Sequence, residues 1–107
     1  MLKINIDDTP FQEFSIPFEG ELINIVLSFR LDSWFMDLDF KKKSVKGLKL
    51  SSSVLMLQGK NLPFDIFIDD KGLKLDPFHT DSFSKGLFDF LLVERDELTD
   101  LRGFEVE

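Results

Sequence analysis

The residue types that could do chemistry are few, and the densest group surrounds His79, which stands among Asp76, Thr80, Asp81, Ser82 and Ser84. An imidazole oriented by a carboxylate and directed at a serine hydroxyl activates an oxygen nucleophile, but only in the right three-dimensional geometry. Nothing in the local sequence imposes that geometry, and the stretch reads as a surface loop. Asp37 and Asp39 lie two apart, so on a strand they share a face and could present paired carboxylates to an acid-base reaction or a hard cation. They also read as the solvated side of a strand whose other side is apolar. Trp34 could stack on a sugar with Asp37 and Asp39 accepting hydrogen bonds, yet on that strand the carboxylates fall across from the indole. This small carbohydrate-binding module is the alternative reading of the chain. Asp69, Asp70, Lys71 and Gly72 lack the spaced ligand series of a calcium loop and read as a turn. One His and no Cys make a zinc site improbable, and no GxGxxG, Walker, GxSxG or HExxH motif occurs. No catalytic, cofactor or metal residue is expected.

Composition narrows the class further. The chain has 107 residues, the common size of one domain, and 13 basic against 20 acidic residues give a net charge of −7. Such a surface repels phosphate backbones, which disfavours nucleic acid and keeps a small domain soluble. The first eight residues alternate apolar and polar types and include acids, unlike a signal peptide, and no apolar run approaches the length of a membrane helix. Synthesis in a cytosol with no membrane span is expected. Thirteen Phe stand beside one Trp and no Tyr. Phe contributes apolar area without a polar handle, so these rings suit a dry core or a dry interface.

The elements that must carry these residues have the periodicity of strands, with apolar residues at alternate positions in short runs closed by Gly, Pro, Asp or Ser. Leu2, Ile4 and Ile6 begin the first run. Phe14, Ile16 and Phe18 share a face of the second, where Pro17 predicts an edge position or an irregularity. Ile23, Ile25, Leu27 and Phe29 mark the central strand, and a short turn at 31–33 joins it as a hairpin to Trp34, Met36, Leu38 and Phe40. In that last run Asp37 and Asp39 face away, the clearest binary pattern in the chain. Lys41, Lys42 and Lys43 guard the strand end against pairing. Two short extended pieces follow, through Val45 to Leu50 and at 54–57. Phe64, Ile66 and Ile68 form another strand, and the turn at 69–72 predicts a hairpin into Leu73 to Leu75. Residues 76–85 form a long connection without periodicity, 86–93 a strand covered on both faces or completing an assembly contact, and 94–107 a charged C-terminal extension of a single β domain spanning 1–107. These elements predict an all-β fold, a small antiparallel sandwich or barrel.

The order of Gln12, the Gly20 turn, the strand through Ile25 and Leu27, the Trp34 to Asp39 strand, Gly47 and Leu48 resembles the phage baseplate plug proteins. The 54–57 segment, Pro63 leading into Ile66 to Asp69, and the final 87–93 run continue the match over nearly the whole chain. Phe occupies strand positions where relatives often carry Tyr. The resemblance implies a structural, non-catalytic subunit of a phage tail or tail-like particle. It would contact the baseplate hub and tail proteins, need no cofactor, reside in the virion and be assembled in the host cytoplasm. Closure around a tail axis implies cyclic copies, and the hub position favours three. From the residues themselves, Phe78, Phe83, Phe88 and Phe90 are the candidate protein-interface residues. Phe78 and Phe83 fall where turn chemistry predicts exposure, and clustered exposed apolar groups mark interfaces.

Overall fold

Alternation of β-branched and aromatic residues with polar ones favours extended chain with one dry face, and the computed structural model, which describes residues 2–94, has seven strands. They are β1 (Leu2–Ile4), β2 (Phe11–Phe18), β3 (Glu21–Arg30), β4 (Ser33–Phe40), β5 (Lys43–Lys49), β6 (Phe64–Asp69) and β7 (Asp89–Glu94). Strands β2 to β5 form a four-stranded meander in the order β2-β3-β4-β5, and the others form a second sheet in the order β1-β7-β6. All strand pairs are antiparallel. The fold is a sandwich, because the two sheets share no strand pair and one hydrophobic cluster fills the space between them.

Register follows from that dry face. Ile23, Ile25 and Leu27 pair across the ladder with Phe40, Leu38 and Met36, so three inward residues of β3 meet three of β4. Trp34, Met36, Leu38 and Phe40 are buried, whereas Asp37 and Asp39 face outward. A slip of one residue would bury both carboxylates, which is why this register is strongly specified.

Three two-residue turns carry the meander. Glu19 and Gly20 have φ of 50° and 80°, and Leu31 and Asp32 have 53° and 59°. Positive φ at both central residues is the type I′ geometry that matches strand twist. Between β4 and β5 Lys41 alone is positive, at 55°. The β4–β5 register then shifts between Met36 and Leu38, opposite which β5 carries one residue more, with Gly47 at a φ of 65°. That bulge turns the Gly47 N–H toward Asp37, whose Oδ1 accepts it at 2.7 Å.

Several expectations need correction. Leu73 to Leu75 forms no strand, because both oxygens of the Asp70 carboxylate hold the chain in a turn, accepting from Gly72 N at 3.0 Å and Lys74 N at 2.9 Å. The hairpin partner of β6 is β7. The 54–57 piece forms no strand; residues 52–56 make isolated contacts on the other edge of β6, where Ser53 N donates to Ile68 O and Met56 N to Ile66 O. The final strand begins at Asp89, after Gly86 has turned the chain at a φ of 78°. Of the 94–107 extension only Glu94 falls within the described residues.

Candidate assembly surface

The connection between β6 and β7 has no periodicity because its apolar residues serve a gap at the open end of the sandwich and not a sheet face. Trp34, buried on β4, donates its indole Nε1–H to the carbonyl of His79 at 3.0 Å and so ties the connection to the core. The N–H of His79 is satisfied by the Oγ of buried Ser82, at 3.0 Å. Turn hydrogen bonds from Lys85 N to Asp81 O and from Gly86 N to Phe83 O close the segment on itself. Phe83 then packs within 6.0 to 6.3 Å of Trp34, Phe88 and Phe90, and Phe78 sits 6.3 Å from Phe88, ring centroid to centroid.

This geometry divides the four candidate interface rings. Phe83, Phe88 and Phe90 are 8%, 1% and 0% exposed, while Phe78 is 43% exposed. The three buried rings belong to the chain's own core, since the space between two sheets was the nearest dry place for them. Of the four, Phe78 alone presents a ring to solvent, and it packs edge-on against Phe88, which in turn packs on Phe83. Leu73, Leu75 and Leu87, elsewhere on the same connection, are exposed as well. The periodicity instead puts Leu73 and Leu75 in a strand and Leu87 in a run that is covered on both faces or completes an assembly contact. Leu31 is the most exposed large apolar residue described, at 88%, on the apex of the β3–β4 hairpin. Its position in a two-residue turn was the signal that could have found it.

The candidate chemistry dissolves when placed in space. The imidazole Nδ1 of His79 lies 4.0 Å from Asp81 Oδ1, beyond hydrogen-bond reach, and the hydroxyls of Ser82 and Ser84 bond to backbone groups. Lys85 pairs with Asp81 at 2.9 Å, and that hydrogen-bonded ammonium, with a weaker pull from His79, holds the Asp81 carboxyl below its ordinary pKa. Asp39 accepts from Ser44 Oγ and from Lys46 Nζ, and these bonds likewise lower its pKa. The sugar-platform reading fails on Trp34, which is 0% exposed and offers no face to a ligand. Among the described residues no group of three or more His, Cys, Asp or Glu could hold a metal ion, and no helix is long and apolar enough to cross a membrane. A buried carboxylate that the sequence did not announce, Asp65, accepts the N–H groups of Leu57 and Ile66 at 2.6 and 2.7 Å. It fastens the 54–57 segment over β6.

Recesses among the described residues include two of note. One, of about 530 Å³, opens where Asn5 to Asp7 diverge from 83–88, and the other, of about 430 Å³, lies between the β4–β5 turn and Asn61 to Pro63. The polar groups described so far are committed to backbone and turn structure, and the apolar residues at the surface are those of connections and turns. The molecule is thus a small β-sandwich with exposed apolar side chains on its turns and connections. The family model described as the cyanophage baseplate Pam3 plug gp18 matches residues 1–94. The chain belongs to that baseplate plug family. No curated protein matches it.

Proposed function

We propose that the chain is a structural subunit of a phage tail baseplate, docked beside the hub and acting without catalysis. The observation that carries this reading is the family match over the whole described sandwich, 1–94. The lack of a triad geometry at His79 and the exposed Phe78 on a connection braced by core rings support it. In this reading Phe78, with Leu87, enters the partner's surface, while Phe83, Phe88 and Phe90 keep the connection rigid so that little ordering entropy is lost on docking. A cyclic arrangement follows from closure around a tail axis, and three copies match a hub-adjacent position. The protein is then made in the host cytoplasm and carried in the virion.

The test is incorporation. A phage carrying Phe78→Asp together with Leu87→Asp should yield tails from which this subunit is depleted, read by quantitative mass spectrometry of purified particles. The isolated double variant should keep the circular dichroism and Trp34 emission of the parent. Undiminished incorporation of that variant would remove this surface from the account, and a subunit absent from wild-type particles would refute the structural role.

A further inference from the structure

Leu31 is costly to its own chain in two ways. It is the most exposed large apolar residue described, at 88%, and it adopts a φ of 53° that residues with a Cβ avoid, followed by Asp32 at 59°. Backbone strain of this kind points to a functional site. The two residues form the tip of the β3–β4 hairpin, which is narrow, because neighbouring strands lie about 4.8 Å apart. Arg30, the cation next to the tip, is drawn back over the Phe35 ring at 4.3 Å, so the tip presents an apolar side chain and a carboxylate. Asp7 and Asp8 shortly precede Pro10, whose carbonyl accepts from Phe29 N at 2.7 Å, and so add acids at the same end of the sheet.

The far end of β4 lies roughly 24 Å away by the rise of its eight residues, and there the recess opens beside the β4–β5 turn. Its floor is apolar, with Phe40 and Leu62 buried and Pro63 beside them, and Lys41, Lys42 and Lys43 form its rim. No other three consecutive residues in the chain are basic. Ion pairs among the described residues engage Lys3, Lys46, Lys71, Lys85 and His79, and none engages the rim lysines or Asp32. Lys43 Nζ donates to the Asn61 carbonyl, and Lys41 lies over the Phe40 ring at 5.4 Å. The rim is a cationic island on a chain of net charge −7, and its complement is an acidic partner that offers an apolar side chain. A second copy of this chain is such a partner, and its hairpin tip carries both groups.

We infer that the hairpin tip of one copy enters the lysine-rimmed recess of the next, with Leu31 on the Phe40–Leu62 floor and Asp32 against the lysines. Tip and recess lie at opposite ends of β4, so the contact is head-to-tail and every pair keeps one free tip and one free recess. Contacts of that kind propagate until a ring closes or a filament grows. This contact is separate from that of Phe78 with another protein, and it stands whether or not the baseplate role holds.

The test uses the purified full chain. Sedimentation velocity from about 10 μM to about 1 mM, a range that spans the affinities of a small contact, should show wild-type copies associating beyond dimers. Leu31→Asn with Asp32→Gly removes both groups of the tip while relaxing the turn, and should weaken association at least about tenfold, as loss of a central apolar anchor does. Lys41→Glu with Lys42→Glu, which spares the bond from Lys43 to Asn61, should do the same. Both variants should keep the circular dichroism and Trp34 emission of the parent. Mixed together they should form one-to-one dimers and nothing larger, since only one intact tip and one intact recess remain to each pair. The chain has no native cysteine, so Leu31→Cys chains mixed with Lys42→Cys chains in a glutathione buffer should give mixed disulfides in excess over either homodimer. A wild-type chain that stays monomeric across the range would leave the recess to a different protein and overturn the inference. So would association that survives either variant, or a mixture of the two that does not pair.

Discussion

Asp65 illustrates how much of this structure depends on single polar atoms. One carboxylate oxygen serves two backbone N–H groups, and burial makes each of those donors expensive to leave without an acceptor. Asp65→Ala should therefore destabilise the chain by about 1–3 kcal/mol, the penalty of an unsatisfied buried donor, and Asp65→Asn, which retains an oxygen acceptor, by less. Chemical denaturation checks both. Asp39 and Asp81 behave differently because they are at the surface. Their folded-state pKa values are depressed, by Ser44 and Lys46 in one case and chiefly Lys85 in the other. Whatever stability they supply is present above the unfolded aspartate pKa and is lost as pH falls through the lower folded values. Carbon-detected titration should place both carboxyls below 3.8, and Ser44→Ala should raise the Asp39 value while leaving Asp81 unmoved.

At the scale of elements, the turns show where local preference was overridden. Leu31 and Asp32 both adopt positive φ in a type I′ turn, a conformation that disfavours residues with a Cβ by roughly 1–2 kcal/mol each and favours Asn-Gly. Replacing them by Leu31→Asn and Asp32→Gly should raise stability by about 1 kcal/mol in thermal or urea unfolding. A loss of stability would mean that Leu31 packs within its own chain. The binary alternation of β3 and β4 made their extent, register and inward faces legible, because a period of two has only one dry side. Pro17 correctly marked an edge, for β2 is the outer strand of its sheet. The connection after β6 was illegible for a physical reason. Its residues answer to a gap between sheets, and Asp70 binds the backbone of 72–74 before a strand can form, neither of which leaves a periodic trace. The same blindness predicted an exposed Phe83, which instead packs on Trp34, and left Asp65 looking like the polar side of an alternating strand.

For the whole molecule, the edges constrain how other chains can attach. β1 is three residues long, β2 carries Pro17, β5 is bulged and carries Lys43, Lys46 and Lys49, and residues 52–56 cover the outer edge of β6. Each is a device against strand addition. Partners are left with loops and sheet faces, and the connection with Phe78 is a loop that core rings brace. A docked subunit needs a surface already in its bound shape, and ring packing from Trp34 through Phe83 and Phe88 to Phe78 supplies it. Strand pairing with another chain is not expected to contribute. The most direct measurement is a cryo-electron microscopy map of the tail of the phage that encodes this chain. The account predicts the sandwich in the baseplate beside the hub, in cyclic copies, with Phe78 and Leu87 buried against another chain and Phe83, Phe88 and Phe90 enclosed by their own. A baseplate without this subunit, or one that holds it with Phe78 facing solvent, would contradict it.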